Sequence, residues 1–205
     1  SDPFWNAGVP ENVAVIRNSF LNINSQQNNG IDVTTRIVHD FPGDTTLTFQ
    51  GLMTWQTKDE VALFEGNFED NNGLAGQPKW VGDFNLSLDS GPWNVFYGLD
   101  VIGGTDNTEY YVERAGSLCQ DFTTYATPVC AKLDIDAKFY HSLAVTRDIQ
   151  ENFRITVGMT NITNAKPPRV TDVSGNGVDQ LGKGVLYSQY DLRGRRAFVN
   201  LNIQY

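Results

Sequence analysis

The chain has 205 residues, 40% of them hydrophobic, which is enough for a sizeable core. A formal net charge of −9 argues against nucleic acid as a partner, because neutralising phosphates takes a surplus of Lys and Arg on one face. No apolar run approaches the ~18 residues that a spanning helix needs, so helical membrane proteins are excluded as well.

Residues 1–29 carry neither a basic n-region nor an apolar h-region, so no secretory leader is read there. They are expected to be an extracellular loop segment, with strands beginning at Gly30. From that point the dominant pattern has a period of two, the signature of half-buried strands. The run GIDVTTRIVHDF sets Ile31, Val33, Thr35 and Ile37 against Asp32, Thr34 and Arg36. A short turn at Pro42, Gly43 and Asp44 leads into TTLTFQGLMTWQ, where Leu47, Phe49, Gly51, Met53 and Trp55 oppose Thr46, Thr48, Gln50, Leu52 and Thr54. Together these runs read as a hairpin.

A long polar stretch, TKDEVALFEGNFEDNNGLAGQP, precedes a second hairpin. Its first strand carries Trp80, Gly82, Phe84, Leu86 and Leu88 on one face, and its second carries Trp93, Val95, Tyr97, Leu99 and Val101, with a tight turn from Asp89 to Pro92. Beyond the Gly-rich stretch from Gly103 to about Ala137, the run FYHSLAVT, the turn RDIQEN and the run FRITVGMTN form a third hairpin. A polar loop from about Ile162 to Tyr190 leads to the last strand, where Ala197, Val199, Leu201, Ile203 and Tyr205 alternate to an aromatic terminal residue.

Seven spans result, and short turns alternate with loops of roughly twenty residues or more, where compact domains keep connections near 4–6 residues. Such sorting of loop length by the two ends of a sheet is typical of transmembrane barrels. The polar face is too rich in Thr, Asn, Gln and Asp for a sandwich core. Trp55, Trp80 and Trp93 lie at strand ends, where an aromatic girdle belongs. The expected fold is all-β, an antiparallel up-and-down transmembrane barrel portion of about seven strands in an open, curved sheet, with Leu47, Phe84, Val95 and Leu201 on its convex, lipid-facing side. Bacterial single-chain barrels use even strand numbers, so seven strands imply an incomplete barrel.

Cys119 and Cys130 bound the polar segment CQDFTTYATPVC, so a disulfide is expected if the compartment is oxidising, with a stabilisation of roughly 2–3 kcal/mol on the chain-entropy model. Zinc is disfavoured, because no His or further Cys lies nearby. His39 and His141 sit on separate strands, both toward lipid or its edge, and support neither a triad nor a metal pair. Glu65, Glu69 and Asp70 read as a solvated loop. The oxygen-rich spacing of Asp172, Ser174, Asn176 and Asp179 lacks the bidentate Glu of a calcium loop. No catalytic residue, cofactor site or metal site is assigned, and an enzyme is not expected.

Six segments, GIDVTTRI, GLAGQPKW, GPWNVFYGLDVIGG, FRITVGMTNITNAKPPRV, YDLRGRRAF and the terminal strand, resemble in order and spacing the C-terminal half of TonB-dependent outer-membrane receptors. GMTNITNAKPP departs from the usual Asn-Asn-Leu-Phe pattern at Thr160 and Thr163. The resemblance implies a 22-stranded barrel with an N-terminal plug, of which residues 30–205 would supply the last strands, the plug being absent. It also implies uptake into the periplasm of a scarce small ligand (siderophore, cobalamin, haem or oligosaccharide). The partners implied are outer-membrane lipid, the TonB energy-coupling protein acting through the absent N-terminal part, and the barrel-assembly machinery. That machinery would read a terminal signal comprising Val199, Leu201, Ile203 and Tyr205. The alternative reading is a secreted or surface β-domain that uses its loops for adhesion.

Overall fold

A computed structural model describes residues 25–64, 67–120, 127–150, 152–172, 179–185 and 189–203. In chain order the elements are β1 (Ser25–Phe41), β2 (Thr45–Phe64), β3 (Asn67–Asp70), β4 (Trp80–Ser90), β5 (Trp93–Ile102), β6 (Thr105–Asp106), α1 (Thr108–Ala115), β7 (Cys119–Gln120) and β8 (Val129–Cys130). There follow β9 (Asp134–Ile135), β10 (Lys138–Gln150), β11 (Phe153–Thr160), β12 (Arg169–Asp172), β13 (Asp179–Val185) and β14 (Arg196–Ile203). The main sheet is antiparallel with spatial order β1-β2-β4-β5-β10-β11-β14, and β3 is added along the far end of β2. Each long strand pairs with its neighbours in sequence, so the topology is up-and-down and the sheet is open.

Register turns alternation into two chemically distinct faces. Directly paired residues share a face, and one such row runs Leu47, Leu88, Val95, Val145, Val157 and Val199 across six strands. One residue along, on the opposite face, a row of Asp40, Thr46, Asp89, Asn94, Thr146, Thr156 and Asn200 crosses all seven. The polar row is stitched by side chains: the Thr46 hydroxyl donates to Asp40 Oδ1 at 2.7 Å, Asn94 Nδ2 to Asp89 Oδ1 at 2.7 Å, and the Thr146 and Thr156 hydroxyls lie 2.9 Å apart. Leu47, Phe84, Val95 and Leu201 all fall on the apolar face. Much of that face is open, with Val33 52%, Val157 51% and Val199 65% exposed.

Strand extent differs from the sequence reading at several places. β1 starts at Ser25 rather than Gly30, and its register with β2 shifts between Asn29 and Gly30. β2 runs on to Phe64, through what the sequence offers as a polar loop. The extension is held by polar pairs, Gln56 Nε2 donating to Asn28 Oδ1 at 2.9 Å and Lys58 Nζ to Gln27 Oε1 at 3.0 Å. Hydrophobic alternation marks only the stretch of strand with an apolar face; the backbone ladder continues wherever polar side chains can line both faces. The turn expected over RDIQEN is shorter for the same reason, because β10 reaches Gln150 and Asp148 forms a two-bonded ion pair with Arg154 on β11. The connections from β5 to β10 and from β11 to β14 carry secondary structure of their own, α1 and three short strand pairs.

Gly158 shows how closely the sheet is packed on the polar face. It pairs directly with Phe198, whose ring lies over it and occupies the place a Cβ would take. Gly158→Val is therefore expected to weaken the β11–β14 contact by about 1–3 kcal/mol through overpacking, seen as a lower denaturant midpoint. Adding Phe198→Ala should restore part of the loss. Strictly additive losses in the double variant would show that the ring and the glycine are not coupled.

Candidate functional site

The turn end of the sheet is spare and the loop end is built up. Three connections, β2 to β4, β5 to β10 and β11 to β14, meet there and hydrogen-bond to one another. Asp106 N–H donates to Gly73 O at 3.0 Å, and Ala75 N–H donates to Asn107 Oδ1 at 2.6 Å, tying the first loop to the second. Gln189 Nε2 donates to Gly76 O at 2.8 Å, tying the third to the first. Buried Thr171 joins the second and third: its Oγ1 accepts from Lys132 N–H at 2.8 Å and Gly182 N–H at 2.9 Å, while its own N–H donates to Lys132 O.

Within this cap, helix α1 starts where Asp106 Oδ1 accepts from Thr108 N–H at 2.8 Å, and it ends at Gly116 in the left-handed region. Tyr111 fixes its inner side against Ala131, Leu133 and Leu118. Cys119 and Cys130 are opposed across the β7–β8 pair, with Cα atoms 4.0 Å apart and their sulfurs bonded.

The third loop is anchored by an asparagine that the sequence reading does not single out. Asn161, 2% exposed and at φ 49°, accepts at Oδ1 from Ala165 N–H at 2.7 Å. Its Nδ2 donates to Ala165 O and to Asp191 Oδ2, both at 3.0 Å. Next to it, Tyr190 packs on Ile102 and Tyr140 at the loop end of the polar face, and Asp191 N–H donates to the Tyr140 hydroxyl at 3.2 Å. Burial alone would raise the Asp191 carboxyl. The Asn161 amide, the Arg193 and Gly194 N–H groups and the Arg196 charge outweigh it and hold the carboxyl below its ordinary range. The signal was present in the sequence: Asn161 and Asp191 lie inside GMTNITNAKPP and YDLRGRRAF, two segments that carry the family resemblance.

Between the first two loops lies a cleft of about 840 Å³. Its wall takes Glu69 and Asp70 from β3, Asp106, Glu109 and Glu113 from β6 and α1, and Asp134 and Asp136 from the β9 segment. Lys79 also lines it, and Phe68 and Tyr110 add aromatic surface. Glu69 and Asp70, which read in sequence as a solvated loop, are thus gathered with carboxylates some forty to seventy residues further along; Glu65 lies outside the described residues. A second, smaller pocket of about 420 Å³ lies at the loop end of the polar face, lined largely by amides and carboxylates such as Asn28, Asp32, Gln56, Asp59 and Gln189.

The other candidate residues stay apart. His39 and His141 both lie on the apolar face, on β1 and β10; His39 meets the Phe41 ring edge-on, and His141 Nδ1 lies 2.7 Å from the Tyr97 hydroxyl. Among the described residues no cluster of three or more His, Cys, Asp or Glu is arranged to hold a metal. Val199, Leu201 and Ile203 lie exposed on the apolar face of β14, while Tyr205 lies outside the described residues, as do Ser174 and Asn176.

No family model and no curated protein matches this chain. Among solved structures, the chain is similar to a point mutant of the ferric enterobactin receptor of Pseudomonas aeruginosa, with a TM-score of 0.56 at 13% identity. The match covers 90% of this chain and 23% of the receptor. At that identity the likeness shows the fold alone, an antiparallel up-and-down sheet of barrel type.

Two variants test the Asn161 anchor. Asn161→Ala should cost about 1–3 kcal/mol, because it leaves the half-buried backbone N–H and C=O of Ala165 and the Asp191 carboxylate without their Asn161 partner. A carboxyl whose pKa is lower folded than unfolded contributes stability at pH above its unfolded pKa, and that contribution is lost as pH falls through the folded value. The protection factors of amides in residues 189–196, taken against intrinsic exchange rates at each pH, should therefore fall on acidification below the ordinary carboxylate range, and Asp191→Asn should remove that pH dependence. An unchanged acid response in Asp191→Asn would assign it to another group.

Proposed function

We propose that this chain is the C-terminal barrel segment of a TonB-dependent outer-membrane receptor that takes up a scarce ligand into the periplasm. The observation that carries this reading is the continuous aliphatic row with its aromatic borders. Trp55 and Trp80 pair at the loop end of the apolar face, and Trp93 lies at the turn end with the Arg147 guanidinium 4.7 Å above its ring. Ten residues of β4 separate Trp80 from Ser90, the partner of Trp93. At ~3.3 Å per residue and a tilt of ~40°, that span is ~25 Å high, the height of the apolar band of an outer-membrane barrel. Arg147 fits the lower border, where its stem lies along apolar surface and its charge reaches the headgroups.

On this reading lipid meets the aliphatic face, the polar row faces the lumen, the short turns lie in the periplasm and the loop cap lies outside the cell. The energy-coupling partner would act through the N-terminal part of the receptor. A disulfide between Cys119 and Cys130 suits an outward-facing loop in an oxidising compartment. Alkylation of the unreduced protein should then label neither cysteine, and labelling of both without reductant would rule the bridge out.

The strand β14 and Tyr205 would present the chain to the assembly machinery. Tyr205→Ala and Leu201→Asp should lower the amount of heat-modifiable barrel in purified outer membranes. A Lys or Arg at mid-bilayer costs up to ~2–4 kcal/mol, and Asp less. Asn200→Ala, on the lumen face, should be milder. Equal levels of Tyr205→Ala and wild type, or a worse defect for Asn200→Ala, would overturn the assignment of this strand. A stable monomer in buffer without detergent would favour a surface adhesion module, since an exposed apolar band of this size should aggregate.

A further inference from the structure

We infer that Lys166, Arg193 and Arg195, grouped where the third loop returns to β14, bind the phosphorylated headgroup of an outer-leaflet lipid. The inference rests on the receptor reading, which sets lipid against the aliphatic face, and adds to it a defined contact for one class of lipid.

The third loop itself builds the grouping. Asn164 Oδ1 accepts from Arg195 N–H at 3.2 Å and from Lys166 Nζ at 3.3 Å, and so draws the ammonium to the chain entering β14. Gly194 is buried at φ 73°, and a Cβ there would lie 3.8 Å from Lys166 Nζ. The ammonium therefore sits over the backbone that joins Arg193 to Arg195. All three basic residues are exposed, and none has an ion pair with a described residue. In a chain of net charge −9, this is a local surplus of positive charge that attracts an anion.

Position gives the class of anion. Arg196 is turned to the polar face, where its Nε donates to Thr160 Oγ1 at 3.2 Å and its guanidinium lies 3.7 Å from Asp191. Arg195, one residue earlier, falls by alternation on the side of Ala197 and Val199, the aliphatic face. Ile203, at the turn end of β14, is eight residues further on, a rise of ~20 Å at ~3.3 Å per residue and a tilt of ~40°. The cations thus stand at the outer border of the exposed band that Val199, Leu201 and Ile203 continue below them. A phosphorylated lipid has its parts in the same order, an anionic head above acyl chains. The guanidinium suits phosphate through paired N–H donors and the ammonium as a point charge. A free anion fits less well, because these residues line neither of the two cavities of the loop cap, and an open rim holds a lone ion weakly while both charges stay hydrated.

The probe is dioleoyl phosphatidic acid, added in mixed micelles to the intact purified receptor in neutral detergent, with bound molecules counted by native mass spectrometry. Dioleoylglycerol, which lacks the phosphate, and inorganic phosphate, which lacks the chains, are the comparators. Phosphatidic acid should be retained more tightly than either, and less so as salt is raised. Lys166→Gln with Arg195→Gln should weaken its retention at least tenfold, whereas Lys132→Gln, which removes an exposed cation elsewhere in the cap, should leave it unchanged. Equal retention of dioleoylglycerol would show that the phosphate is not read, and inorganic phosphate bound as tightly would replace the lipid by a free anion. Indifference to the double substitution would put the lipid elsewhere. Each of these results overturns the inference. Heat-modifiability is recorded on the same samples. An intact barrel without selective retention counts against this contact alone, whereas absence of any heat-modifiable barrel counts against the receptor reading and the inference with it.

Discussion

A sheet whose two faces differ this sharply depends on register above all. Side chains alternate with a period of two, so a slip of one residue in any pair would carry Val95 or Val157 into the polar row and Asn94 or Thr156 into the aliphatic one. The hydrogen bonds between Thr46 and Asp40, Asn94 and Asp89, and Thr146 and Thr156 exist in one register only. They make the polar face a record of the alignment as well as a wettable surface. The tryptophan borders, the positions of the turns and the convergence of the loops all follow from that alignment.

The loop cap depends on the sheet through few but well-placed contacts. Asn161 ends β11 by turning the backbone into the left-handed region, and its amide then fixes both the start of the third loop and, through Asp191, its return to β14. Tyr190 and Tyr140 seal the junction against Ile102. The cap therefore sits on a small apolar cluster at the rim of the polar face, and the acidic cleft lies further out, where walls from two loops are held by hydrogen bonds from Asp106 N–H to Gly73 O and from Ala75 N–H to the Asn107 side chain.

The seven long strands and their faces were legible in the sequence because burial of one face imposes alternation that survives in the residue order. Strand ends were not, since beyond Gln56 the charged run Lys58, Asp59 and Glu60 is compatible with a ladder wetted on both sides and equally with a loop. The cleft was invisible for a different reason. Glu69 and Glu109 are brought together by loop-to-loop hydrogen bonds that have no periodic signature, and each acidic residue alone reads as solvated surface. The Asn161–Asp191 tie lies between these cases: both residues fall within segments quoted for the family resemblance, but nothing in either segment indicates that they touch.

The contrast between the two ends of the sheet bears on the order in which it forms. Pairs joined at the turn end, β1 with β2, β4 with β5 and β10 with β11, close over a few residues and are local hairpins. Pairs joined at the loop end must first order a long connection, and contacts of large sequence separation form slowly because that entropy is lost before the pairing rewards it. Within the connection from β5 to β10, the sulfur bridge ties off a loop of separation 11 and α1 takes up another eight residues. Both shorten the free chain that has to close. A connection pre-folded in this way would let finished hairpins dock side by side, so that the cap is an instrument of assembly before it is a surface for recognition.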